Sequence, residues 1–197
     1  TDNCDWEVTN TYTITDGCTP VTNTITYKGG DKTKPVIATG YTTTLPADVT
    51  SCNYTYPDFT ASVKDASSDL CTAKADLKVT QSPAYGSAIN LTATEQTLPV
   101  KVYVEDLCGN KDSVSVTVTV PASIALTIDT SASNCYGQAD GFLNYTITGG
   151  VANYTLDLTG TTAGADTKTA AGSYSFNNLA DGTYSLKVTD ANGCEAT

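Results

Sequence analysis

The sequence predicts an all-β protein, a tandem series of small β-sandwich modules with almost no helix. Three observations predict it. Apolar and β-branched residues alternate with polar ones over short stretches, as a half-buried strand requires. Thr is abundant at 37 of 197 residues, and with 12 Tyr it weights the chain toward strand. No stretch of ten or more residues carries apolar spacing of three and four, so nothing reads as an amphipathic helix.

Residues 1–34 read as two strands, 6–15 and 21–28, joined by residues 16–20. Two strands alone are marginal in water. They therefore read as the last hairpin of a preceding sandwich, or as strands docked on the next module. The polar stretch 31–35 (DKTKP) reads as a linker. Residues 35–121 divide into seven candidate strands: 36–39, 42–45, 58–63, 75–80, 88–94, 100–104 and 113–120. That number at that spacing predicts an immunoglobulin-like sandwich. Residues 122–197 form a different β module, with strands expected at 125–130, 142–148, 154–158, 173–176 and 184–189. Gly149-Gly150, Gly160, Gly164 and Asp181-Gly182 punctuate it.

One phrase recurs across these segments. An alternating stretch runs into an Asp-containing turn with a cysteine at 12–18 (YTITDGC), 59–71 (FTASVKDASSDLC), 102–110 (VYVEDLCGN) and 185–194 (SLKVTDANGC). Asp, Asn and Gly supply the turn, and the cysteine then sits where a bridge can lock two strands.

Charge and composition exclude several functions. The formal net charge is −11, and all ten basic residues are Lys. Without guanidinium groups, and with a repelling field, nucleic acid is not an expected partner, and neither is an anionic membrane surface. His is absent, which removes the usual general base, the His-dependent triads and the commonest zinc ligand. The expectation is a protein that is not an enzyme and holds no cofactor. Seven cysteines without a CxxC pair point to disulfides and an oxidising, extracellular compartment, with at least one thiol left over. No apolar run approaches the ~20 residues of a membrane-spanning helix. A signal and an anchor are expected outside the sequence.

The third segment holds, in order, Asn134-Cys135-Tyr136-Gly137, Asp140-Gly141, Gly149-Gly150, Asn153-Tyr154-Thr155 and Leu179-Ala180-Asp181-Gly182-Thr183-Tyr184. The run Val188-Thr189-Asp190-Ala191-Asn192-Gly193-Cys194 completes the series. Through these residues it resembles the SprB repeat of the giant surface adhesins of gliding Bacteroidetes. Asn153 stands where the repeat usually has Pro, and residues 159–171 form a polar, small-residue insert. Residues 1–121 resemble HYR-type immunoglobulin-like domains, through residues 102–110 and the linker at 31–36. The resemblance implies export by the type IX system, a place on the outer-membrane surface and a role in gliding motility. The partners it implies are other domains of the same long chain, the gliding and secretion machinery, and an extracellular surface or polysaccharide.

Geometry constrains the bridges. If residues 5–15 form one extended strand, Cys4 and Cys18 lie ~40 Å apart, far beyond the about 6 Å between Cα atoms that a disulfide allows. In a sandwich, the loops holding Cys71 and Cys108 share one end, which predicts a Cys71–Cys108 bond. Cys135 and Cys194 bracket the third module and are the second expected pair, although simple sandwich order would set them at opposite ends. Cys52 has no partner at its own end, and Cys4 and Cys18 are expected to bond to strands before residue 1.

Asp65, Asp69, Glu105 and Asp106 would fall at one end of the second module and are weak calcium candidates; the bland reading is turn capping by Asp. Trp6 with Tyr12 could form a sugar-binding platform, against the commoner role of Trp in a core. Four Asn-x-Thr sequons, beginning at Asn53, Asn90, Asn144 and Asn153, matter only with a eukaryotic-type glycosylation pathway. Asp112-Ser113-Val114 resembles the O-glycosylation motif of exported Bacteroidetes proteins. The leading expectation is a non-catalytic segment of a large adhesin. Its rivals are a carbohydrate-binding module of a glycan-degrading enzyme and a carboxylate-based hydrolase domain.

Overall fold

The computed structural model describes residues 4–132 and 137–197. The chain is all-β. Its strands are β1 (Trp6–Ile14), β2 (Val21–Gly29), β3 (Val36–Ile37), β4 (Thr44–Pro46), β5 (Asp48–Thr50), β6 (Asn53–Thr55) and β7 (Ser67–Ser68). They continue as β8 (Lys78–Ser82), β9 (Ala88–Ile89), β10 (Gln96–Glu105), β11 (Lys111–Val120) and β12 (Ala125–Ala132). The last are β13 (Gly141–Thr148), β14 (Tyr154–Gly160), β15 (Gly164–Lys168), β16 (Gly172–Leu179), β17 (Tyr184–Thr189) and β18 (Glu195–Ala196). Among the described residues, one six-residue α-helix, α1 (Thr60–Asp65), and a 3₁₀ turn at Lys74–Asp76 interrupt them.

Two compact units divide the chain, each assembled from separated stretches. The first takes Thr1–Thr43, Asp58–Ala84 and Val100–Val116; the second takes Thr44–Pro57, Tyr85–Pro99 and Thr117–Thr197.

In the first unit, β1 and β2 pair antiparallel from Trp6↔Gly29 to Ile14↔Val21. Because successive side chains alternate, this register sorts the hairpin into two faces. One face carries Trp6, Val8, Tyr12, Ile14, Val21, Ile25 and Tyr27, and all seven are 41–74% exposed. The other carries the Glu7–Lys28 ion pair at 2.7 Å and the Thr9–Thr26 hydroxyl contact at 3.2 Å. Glycine is required at the base: a Cβ on Gly29 would overlap the Trp6 ring, and one on Gly30 would overlap the Cys4 carbonyl.

The helix α1 corrects the strand expected at 58–63. Phe59 and Val63 are both fully buried, one helical turn apart, while Ala61 between them is exposed. A strand would bury all three on one face. Asp58 starts the turn by accepting hydrogen bonds from Thr60 N (2.7 Å) and Thr60 Oγ1 (2.6 Å). The Phe59 amide is satisfied by Gln81 Oε1 at 2.9 Å. The strand expected at 75–80 begins only at Lys78, as β8, because Lys74–Asp76 form a 3₁₀ turn; the strand expected at 100–104 is the later part of β10, and the two pair antiparallel from Lys101↔Ser82 to Glu105↔Lys78. Val100, Val102 and Val104 alternate inward and are fully buried.

In the second unit, β5, β6 and β9 form a small sheet whose β5–β6 turn is Ser51-Cys52. Both turn residues have positive φ, +47° and +65°, as a two-residue type I′ hairpin demands. Strand β4 pairs parallel with residues 117–119 of β11. A sandwich occupies the rest. The sheet β12-β13-β16 and the sheet β15-β14-β17-β18 share one core, with Leu143, Tyr145, Ile147 and Leu179 from the first and Tyr154, Leu156, Leu158, Leu186 and Val188 from the second. Every strand expected between 142 and 189 is present. The polar insert at 159–171 holds an additional edge strand, β15, paired with β14 from Tyr154↔Lys168 to Leu158↔Gly164.

Tyr145 lies at the centre of this core, fully buried, its ring 5.5 Å from that of Phe176 and 6.0 Å from that of Tyr174. Its hydroxyl has no hydrogen-bond partner among the described residues. Burial pushes its pKa up to about 12, with a smaller contribution from Asp166.

Candidate functional site

The recurring Asp-to-Cys phrase is one structural device used four times. A carboxylate accepts the amide two residues on and folds the chain into an Asx turn. Asp16 Oδ1 accepts from Cys18 N at 3.0 Å. Asp69 Oδ1 accepts from Cys71 N at 2.9 Å and Thr72 N at 2.8 Å. Asp106 Oδ1 accepts from Cys108 N at 2.8 Å and Asn110 N at 2.9 Å, while its Oδ2 takes Asn110 Nδ2 at 2.8 Å. Asp190 Oδ1 accepts from Asn192 N at 2.9 Å and Cys194 N at 2.8 Å, and its Oδ2 takes Val151 N at 2.9 Å. Asp106 and Asp190 are buried, and the cysteines of their turns are in disulfides; the cysteines of the other two turns, Cys18 and Cys71, are free and exposed.

The pairing differs from the expected one in both cases. Cys108 bonds Cys4, not Cys71, across a sequence separation of 104, with Cα atoms 5.0 Å apart. The loops of Cys71 and Cys108 are neighbours as predicted, since Leu107 N donates to Thr72 Oγ1 at 3.3 Å. What decides the partner is the 29–32 stretch, which packs on residues 4–6 and fixes Cys4. Lys32 Nζ donates to Cys4 O at 3.1 Å and to Asp5 Oδ1 at 2.8 Å, and Asn110 Nδ2 donates to Asp31 O at 3.3 Å. Cys194 bonds Cys52, not Cys135, across a separation of 142 and with Cα atoms 4.8 Å apart. Cys135 lies outside the described residues. Here the β5–β6 turn supplies the partner: Cys52 N donates to Asn192 O at 2.9 Å, and Asn192 Nδ2 to the Tyr54 hydroxyl at 2.7 Å. No sequence signal marked that turn, because Ser51-Cys52 is not the usual Asn-Gly of a type I′ hairpin.

The four carboxylates proposed for calcium do not converge. Glu105 Oε2 is shared between Lys78 and Lys111 at 3.5 and 3.4 Å. Asp69 caps its turn. Asp65 is exposed, and its carbonyl accepts from Lys74 Nζ at 2.6 Å. Of the four, Asp106 falls in a potential ligand cluster among the described residues, and its acidic neighbour there is Asp31, read from sequence as part of a linker. Asp31 is 5% exposed. Carboxylate oxygens of Asp31 and Asp106 and the Cys108 sulfur lie within 4.8 Å of one another. Asp31 Oδ1 accepts from Thr33 Oγ1 at 2.6 Å and Thr33 N at 3.0 Å, and these bonds, with help from the Lys32 charge, hold its carboxyl below the usual range. Asp31 Oδ2 is buried with no hydrogen-bond partner among the described residues.

Trp6 and Tyr12, the candidate sugar platform, share the exposed apolar face of β1. They stand six residues apart, about 20 Å along a strand, too far for one sugar ring. A concavity of about 500 Å³ opens in the β12–β18 sandwich between Ile128, Phe142, Leu179, Asp181, Tyr184 and neighbouring residues.

No protein-family model matches the sequence, and no curated protein matches it. Among solved structures, the four N-terminal immunoglobulin domains of Dscam1 isoform 7.44 are similar over 88% of this chain at 14% identity, with a TM-score of 0.30. The chain spans 49% of the length of that four-domain chain. A superposition this loose carries no argument about function. What stands is an all-β, disulfide-linked protein, compatible with an extracellular adhesion-type module.

Proposed function

We propose that the chain is a non-catalytic segment of a very large secreted cell-surface adhesin, a disulfide-stapled stalk of β domains that mediates surface attachment in bacterial gliding. The observation that carries the reading is the pair of long-range disulfides, which close loops of 104 and 142 residues in sequence. Bridges of that span limit how far a chain can be drawn out. The one-sided hairpin supports the same reading. A sheet with seven exposed apolar residues on one face and only Thr, Glu and Lys on the other matches half a sandwich, a face for a neighbouring domain to cover. Its partners are then its neighbouring domains, the secretion and gliding machinery, and an extracellular surface or polysaccharide.

The concavity beside Phe142 and Tyr184 favours one alternative, a carbohydrate-binding module of a glycan-degrading enzyme, since aromatic rings next to a carboxylate suit a sugar. Single-molecule pulling separates the two when combined with glycan-array binding. The stalk reading expects a short extension in oxidised protein, a much longer one after reduction, and no saturable glycan binding. Equal extensions in both redox states, or tight binding to one oligosaccharide class, would overturn it.

A further inference from the structure

We infer that Asp31 and Asp106 form a calcium site in the first compact unit. Both carboxylates are 5% exposed and have ligand oxygens within 4.8 Å of each other. No ion pair between a lysine and either is present among the described residues. Two buried anions this close persist only if something neutralises them. Asp106 is partly answered by three N–H donors, from Cys108 N, Asn110 N and Asn110 Nδ2. Asp31 Oδ1 is engaged by Thr33. Asp31 Oδ2 is left over: sequestered from solvent, without a donor, and beside a second carboxylate. Buried polar atoms without partners are rare enough to require a cause, and a cation at this position supplies one.

The donor set selects the ion. The third candidate ligand, Cys108 Sγ, is committed to its bond with Cys4 and offers no thiolate. The remaining ligands are hard oxygens, which suit calcium or magnesium rather than zinc or copper. Burial chooses between these, because magnesium keeps several waters and calcium exchanges them more readily for protein oxygens. Two carboxylates also match the charge of one divalent ion. The Asx turn at Asp106 and the Cys4–Cys108 bond hold the ligands in place before the ion arrives, which lowers the ordering cost of binding. With only two carboxylates, the affinity falls in the weak range of extracellular modules, about 10⁻⁴–10⁻³ M.

Calcium chloride titrated calorimetrically into the EDTA-treated full chain tests this. One saturable site is expected, with a melting temperature higher by roughly a few degrees at about 10 mM calcium than in EDTA. Asp31→Asn loses both responses. Asp65→Asn, at an exposed acid away from the pair, keeps both. A net charge of −11 attracts divalent ions diffusely, so magnesium chloride at equal concentration is the comparison, and an equal rise in magnesium overturns the site. Heat that never saturates, or identical melting in calcium and EDTA, overturns it on the wild-type protein alone, even if Asp31→Asn does not fold.

Discussion

The side-chain amide of Asn192 donates to the Tyr54 hydroxyl at 2.7 Å, joining residues 138 apart in sequence beside the Cys52–Cys194 bond. The contact is half-buried and couples the β5–β6 turn to the closing turn after β17. Tyr54→Phe leaves that amide without its acceptor at a desolvated position. A loss of about 1–2 kcal/mol is expected, read as a lower urea midpoint with an unchanged slope.

Removing the neighbouring bridge costs more. A closed loop of this length restricts the unfolded chain by roughly 4–5 kcal/mol on the chain-entropy account. The double variant Cys52→Ser, Cys194→Ser should therefore lose several kcal/mol relative to oxidised wild type. It should match wild type once both are reduced and the Cys4–Cys108 bond is open in each. A variant as stable as the oxidised parent would show that the bridge adds nothing.

Tyr145 carries a hydroxyl with no partner among the described residues, at the centre of the core shared by the β12-β13-β16 and β15-β14-β17-β18 sheets. Tyr145→Phe keeps the ring contacts with Phe176 and Tyr174 and removes the stranded polar group. Stability should rise by about 1 kcal/mol. The gain depends on pH in a defined direction. The folded-state pKa, about 12, lies above the ordinary value of 10. The unfolded chain therefore ionises first, and the contribution of this group is present below about pH 10 and lost as pH rises toward 12. The advantage of Tyr145→Phe should widen across that window in alkaline denaturation.

Native thiol labelling should mark Cys18 and Cys71 and spare Cys4, Cys52, Cys108 and Cys194. Desolvation, then the charges of Asp31, Asp69 and Asp106, hold the Cys71 thiol above its ordinary range. Its labelling near neutral pH should be slow and should accelerate as pH rises. Peptide mass mapping reads the result, and label at Cys4 or Cys108 would contradict the assigned pairing.

Ser51 occupies the first position of the type I′ turn at φ +47°, where a side chain is strained. Ser51→Asn places a residue that tolerates this conformation. A gain of about 0.5 kcal/mol is expected in thermal or urea unfolding, and a loss would mean that Ser51 makes a contact Asn cannot.

The strands of the β12–β18 sandwich were legible because alternation was strict. Leu143, Tyr145 and Ile147 face inward on β13, and Leu156 and Leu158 do so on β14, with polar residues between them. The turn role of Asp was legible too, because an Asx turn is local chemistry. What escaped is what depends on distant residues. Asp31 reads as linker until Asn110 and the Cys4–Cys108 bond are seen to cover it. Residues 59–63 fit a strand as well as a helix by apolar spacing, and only the exposure of Ala61 separates the two. Cys4 and Cys52 appeared partnerless because each segment was expected to close on its own cysteines. Both bridges instead reach well beyond the segment in which they start.

The two bridges interlace, since Cys52 lies inside the loop closed by Cys4 and Cys108, while its own partner lies outside that loop. A chain made from its N-terminus presents Cys4, Cys18, Cys52 and Cys71 before Cys108 exists, and Cys194 only after the other six cysteines. Oxidation in order of appearance would join the wrong sulfurs. Correct connectivity requires that folding run ahead of oxidation, so that the Asx turns at Asp106 and Asp190 deliver their cysteines to partners already in position.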